Sequence, residues 1–74
     1  MAQARLQDLL ISRRAAVGLS QEEVARRLRR PQSFVSKSEN GERRLDIIEL
    51  IEVAEAIGFD VRDLVTELTG TAAS

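Results

Sequence analysis

Apolar residues recur along this chain at helical spacing, and each recurrence stops at a recognisable breaker. Leu6, Leu9, Leu10 and Val17, with Arg13 on the same arc, follow at three and four residues, which predicts an amphipathic helix from about Gln3 to Ala16, closed by Gly18. Ser20 with Glu23 has the form of a capping box, the hydroxyl accepting from the Glu23 N–H and the carboxylate accepting from the Ser20 N–H. Leu19 and Val24 flank it as a hydrophobic staple, so a second helix should run from Gln21 to about Leu28 with Val24, Ala25 and Leu28 inward. Pro31 suits a first helical turn, where its missing N–H costs nothing; a third short helix is expected from Pro31 to Glu39, ended by Asn40 and Gly41.

The same punctuation starts two further helices. Asp46 with Glu49, flanked by Leu45 and Leu50, opens a helix from Ile47 to Ile57 that closes at Gly58. Asp60 with Asp63, flanked by Phe59 and Leu64, opens one from Val61 to Leu68 that closes at Gly70; Asp63 is short for the reciprocal bond, so Asp60 and the helix dipole carry this start. In the fourth helix Ile47, Leu50, Ile51, Val53, Ala54 and Ile57 form one arc and read as core, while Ile48 falls beside Glu52 and Glu55. No segment alternates as a strand does. The expected fold class is all-α, five helices in one domain over residues 1–70, with residues 71–74 as a frayed tail.

Composition narrows the chemistry. The 74 residues, 43% apolar and 31% charged, suffice for one economical core. The chain has no Cys and no His, which removes disulfides, thiolate nucleophiles, the commonest general base and the usual zinc ligands. Neither an enzyme, a metal site nor a cofactor is expected. No apolar run approaches the roughly 20 residues that cross a bilayer, and the N-terminus lacks the order of a secretory signal. A soluble, cytoplasmic, nucleoid-associated protein with no membrane or small-molecule partner is expected.

The net charge of -1 conceals an asymmetry. Residues 1–44 hold ten of the eleven basic groups against five acids, whereas the remainder holds Arg62 against seven acids. A basic surplus around two short helices is the electrostatic footprint of a polyanion binder, and the acidic half would turn away from phosphate. Two short helices joined by a tight turn, the second opened by Pro31 and presenting Gln32, Ser33, Ser36 and Lys37 on one side, have the shape that enters a major groove.

The ordered string Gly18-Leu19-Ser20-Gln21-Glu22-Glu23-Val24-Ala25, then Pro31-Gln32-Ser33-Phe34-Val35-Ser36-Lys37 and Glu39-Asn40-Gly41, resembles the lambda repressor/Cro-like (XRE) helix-turn-helix family. The likeness spans about Leu6 to Val65 and implies five helices and a double-stranded DNA operator as partner. Carried over, it assigns Gln32, Ser33 and Lys37 to base edges, with Phe34 and Ser36 at the groove margin. Gln can pair with adenine N6 and N7, Lys with guanine O6 and N7, and an apolar edge with the thymine methyl. Phosphates are assigned to Ser20 and Gln21 at the second helix's N-terminus and to Arg43 and Arg44 in the loop after the third. Arg14 and Glu39 match positions that form a salt bridge in the family; Arg14 can also face phosphate.

Two positions depart from the family pattern. Arg29 stands where a glycine usually turns the chain after the second helix, so either it adopts a strained positive φ or the turn differs. Ser38 stands where a large apolar side chain usually points inward, forfeiting packing unless its hydroxyl bonds back to a carbonyl and neighbours close the gap; a slightly loose third helix is expected. The resemblance also implies a homodimer through C-terminal helices, here Ile48, Val61, Leu64, Val65 and Leu68, with recognition helices about 34 Å apart on a pseudo-palindrome. The competing reading is an interaction module, such as an antitoxin masking a toxin through its acidic helices.

Overall fold

A computed structural model describes residues 2–70, with side chains from residue 4 onward; the proposed tail at residues 71–74 lies outside the described residues. The chain forms five helices: α1 (Ala2–Ala16), α2 (Gln21–Leu28), α3 (Gln32–Asn40), α4 (Ile47–Ile57) and α5 (Val61–Thr69). No strand occurs among the described residues. α1 packs on α3 and α5, α2 packs on α3 and α4, and α4 packs on α5. All five feed one core, comprising Leu10, Val24, Ala25, Phe34, Val35, Leu50, Val53, Ala54, Ile57 and Leu64.

The helix starts show which caps do what their spacing promises. At α4 the box is complete, with Glu49 N–H donating to Asp46 Oδ1 and Asp46 N–H donating to Glu49 Oε1. At α2 it is half-formed: Ser20 Oγ accepts from Glu23 N–H at 3.0 Å, but the Glu23 carboxylate turns to Arg26 and Arg27. At α5 Asp60 accepts from the Arg62 N–H and guanidinium, so Asp63 closes no box. At α2 the charge-assisted bonds of Arg26 and Arg27 to Glu23 take the place of the one to the Ser20 N–H.

Pro31 is the N-cap of α3 and not its first helical residue, with φ -61° and ψ 151°. Its ring satisfies either position; the reversal of direction between α2 and α3 requires the extended ψ. That turn is closed by Arg29 N–H to Arg26 O at 3.1 Å and Arg30 N–H to Ala25 O at 3.0 Å, with Arg29 itself left-handed at φ 59°. α3 and α5 each run one residue beyond their expected ends before Gly41 and Gly70 stop them.

Ser38 is buried, and its hydroxyl donates to Phe34 O at 2.7 Å. Neighbours including Leu10, Val24 and Val35 close the space around it to a cavity of about 10 Å³. Both conditions under which a small residue is tolerated there are met. On α4, Ile47 and Ile51 are exposed at 60% and 36%, a correction to the arc that placed them in the core. The neighbouring helices are too few to cover so broad an arc, so the stripe through Leu50, Val53, Ala54 and Ile57 takes the interior.

Candidate nucleic-acid interface

α3 divides into two faces. Phe34, Val35, Ser38 and Glu39 point inward, whereas Gln32, Ser33, Lys37 and Asn40 are exposed and Ser36 is half-buried. Residues at i, i+1, i+4, i+5 and i+8 share a helical face, so the outward set forms one continuous edge. Four of the five proposed base-reading residues, Gln32, Ser33, Ser36 and Lys37, stand on it together.

Phe34 does not. It is 8% exposed and belongs to the core, so its assignment to the groove margin is corrected. The guanidiniums of Arg30 and Arg43 lie over its ring at 4.4 and 4.7 Å from the centroid. A phenyl at the boundary of a small core completes its burial under cations, which its quadrupole attracts.

A hydrogen-bonded chain holds this polar edge against the rest of the domain. Arg14 Nε and Nη2 donate to the two carboxylate oxygens of Glu39 at 2.7 and 2.9 Å, and Nη1 donates to Leu19 O at 2.9 Å. Gln21 Nε2 donates to Glu39 Oε1 at 2.9 Å, and Gln32 Nε2 approaches Gln21 Oε1 at 3.4 Å. Bonding to Glu39 drives the Arg14 guanidinium further above its ordinary pKa. The side chains of the pair are 17% and 8% exposed, so α1, α2 and α3 share one partly desolvated ion pair. The salt bridge stands, and the Arg14 guanidinium donates through each of its three nitrogens to Glu39 or Leu19 O.

The phosphate set separates in the same way. Ser20 is exposed and caps α2, and Gln21 is half-buried beside Glu39. Arg44 is exposed with no carboxylate within 4.0 Å among the described residues. Arg43 is paired: its Nη1 and Nη2 close on Glu49 Oε1 and Oε2 at 2.9 and 2.8 Å. The Arg43 guanidinium and the Asp46 N–H hold the Glu49 carboxylate down at about 2. Arg30 Nη2 adds a second cation at 3.8 Å from Glu49.

Sequence reading missed this Arg30, Phe34, Arg43 and Glu49 cluster. The signal was faint, a basic residue six positions before a glutamate already spent on a capping box. Arg27 was also missed; its Nη1 donates to Ala56 O at 2.9 Å, satisfying a carbonyl at the end of α4. Arg13 pairs with Glu67 at 2.7 Å, tying α1 to α5. Much of the basic surplus is therefore consumed by internal carboxylates. Among the described residues, Arg5, Arg29, Lys37 and Arg44 have no carboxylate within 4.0 Å.

The proposed dimer residues also divide. Leu64 is fully buried and Val61 and Leu68 pack against the core, which removes Leu64 from any interface. Ile48 and Val65 are exposed at 62% and 44%. No group of acidic residues with metal-site geometry occurs among the described residues, and no described helix is long and apolar enough to cross a membrane.

Comparison with known proteins agrees with this geometry. The profile of the HTH_3 helix-turn-helix family matches residues 10–64. An XRE-family like protein from Pseudomonas syringae pv. tomato str. DC3000 superposes with a TM-score of 0.91 at 48% identity, over 96% of this chain and 87% of that one. The clp gene regulator ClgR from C. glutamicum superposes at 0.84 with 29% identity, over 99% of this chain and 95% of its own. No curated protein matches. A helix-turn-helix that presents a polar edge on its second helix, matched over most of its length by this profile, places the chain in the XRE-type helix-turn-helix family of DNA-binding transcriptional regulators.

Proposed function

We propose that the protein regulates transcription as a homodimer on a pseudo-palindromic operator, with α3 in the major groove of each half-site. The observation that carries this reading is the bonded chain from Arg14 through Glu39 and Gln21 to Gln32, which orients the exposed edge of α3 before DNA arrives. Gln32 pairs with adenine, Lys37 with guanine, and Ser33 and Ser36 contact either base edges or the adjoining sugar. Ser20, Gln21 and Arg44 grip phosphate and set the register.

The dimer surface is the exposed apolar turn of α4, comprising Ile47, Ile48 and Ile51, together with Val65 of α5. Apolar clusters of this kind on so small a domain are more than isolated surface leucines and isoleucines. Glu52 and Glu55, exposed on the same helix, make the second reading, a protein-masking module, compatible with that face alone.

Selection of bound sites from random duplex DNA tests the function directly. Two symmetric half-sites about one helical turn apart are expected. Enrichment of no site would remove the operator reading, and a salt titration would then separate the second one. Phosphate binding makes log K fall steeply with log salt, while tight protein capture with little DNA affinity favours masking.

A further inference from the structure

Among the described residues, one non-glycine residue has a left-handed backbone, and it lies in the turn that leads into α3. Gly18, Gly41, Gly58 and Gly70 take positive φ at 73°, 88°, 101° and 69° near the ends of the other four helices. α2 instead closes at Arg29, with φ 59° and ψ 43°. A side chain in that region crowds the following carbonyl, and glycine would relieve it. The chain thus uses glycine at four helix ends and departs from it at the fifth.

Nothing inside the fold accounts for that choice. The backbone bond from Arg29 N–H to Arg26 O needs no particular side chain. The guanidinium itself is exposed, with no hydrogen-bond acceptor engaging it and no carboxylate within 4.0 Å among the described residues. Its neighbour Arg30 is occupied, lying over Phe34 and sharing Glu49. Arg29 is therefore the uncompensated cation of this turn, three residues before Gln32 on the reading edge. Strain held at a site without an internal contact to offset it points to a role outside the molecule.

We propose that Arg29 is a DNA-phosphate contact, its guanidinium holding the sugar-phosphate backbone at the edge of the groove that α3 occupies. The contact rests on the DNA-binding reading and adds to it a residue that neither the base-reading edge nor the α2 N-terminus includes. A guanidinium fork matches phosphate oxygens in pairs, and such a contact carries no base information. It strengthens binding to any duplex equally.

The full chain and its Arg29→Gly and Arg29→Lys variants test this by thermal melting and by DNA binding over a salt series. Two duplexes of equal length serve as probes, the selected site and an unrelated sequence. Arg29→Gly is expected to melt higher. Its affinity should fall on the order of tenfold at 0.1 M salt for both duplexes, with the slope of log K against log salt shallower by about 0.9. Arg29→Lys should keep the slope without the gain in melting temperature. Arg29→Gly with unchanged affinity and slope overturns the contact, as does a loss confined to the selected site, which would mark base reading. Wild-type chain that binds neither duplex overturns the DNA-binding reading and this contact with it.

Discussion

Glu49, in the first turn of α4, closes end-on over the guanidinium of Arg43, a residue of the loop that leaves α3. The same carboxylate accepts the Asp46 N–H at 3.0 Å, so one side chain both caps a helix and neutralises a cation beside the recognition helix. Replacing it with glutamine keeps an acceptor for the cap and removes the charge. Glu49→Gln is expected to make DNA binding more salt-sensitive, steepening the slope by about 0.9, because Arg43 then meets phosphate uncompensated. An unchanged slope in a salt titration would show that Arg43 contributes no charge to the interface.

The same residue sets an acid limit. Its carboxyl lies at about 2 in the folded protein against an ordinary 4.5, so the folded state binds its proton less readily than the unfolded chain does. The stabilisation is fully present above about 4.5 and is lost as pH falls toward about 2. Denaturant melts between these limits should show a shallower fall in stability for Glu49→Gln than for wild type. Parallel curves would contradict the assignment.

Glu39→Ala strands Arg14 and Gln21 together. For a pair whose side chains are 17% and 8% exposed, removing one partner leaves a charge largely without solvent or counter-ion. A loss of about 3 kcal/mol is expected, read as a fall in melting temperature. Gln32 should lose discrimination at its base as well, through the slackened Gln21 amide.

Ser38→Ala should change stability by less than about 1 kcal/mol. The hydroxyl is a second donor to a carbonyl that the helix ladder already serves, and alanine is the better helix former. By contrast Leu64→Ala, at a position with no exposure, should cost about 2–5 kcal/mol. A comparable cost at Ser38 in the same melts would make its hydroxyl a structural requirement.

If α4 carries the proposed homodimer interface, wild type sediments as a dimer and Ile48→Asp as a monomer, with helical content intact. Ile48 is 62% exposed and contributes nothing to the core. Each half-site should then bind independently, with cooperativity between half-sites gone. A dimer that survives the substitution would move the interface away from α4.

Local chemistry explains why so much of the fold was legible. Ser20, Asp46 and Asp60 each cap the helix that their spacing announced, and Gly18, Gly41, Gly58 and Gly70 stop the chain where a left-handed turn is cheap. The alternation of Gln32, Ser33 and Lys37 with Val35 and Ser38 likewise separated a polar edge from an inward face. These signals act within four or five residues. The ion pairs were harder: Arg43 and Arg44 are adjacent and chemically alike, yet only Arg43 finds Glu49 across the loop.

What the sequence by itself determined is the number of helices, their boundaries to within a residue or two, and the face of α3 turned outward. Each follows from backbone hydrogen bonding and apolar periodicity along a single stretch of chain. Tertiary structure alone decided which cations remain free, whether Phe34 reads a base or fills the core, and whether Arg29 bends the turn or accepts strain. Those outcomes depend on groups from different helices meeting in space. The core has five helices to close and the Phe34 ring to bury, and the carboxylates that reach Arg14 and Arg43 do so only once α3 and α4 are in place.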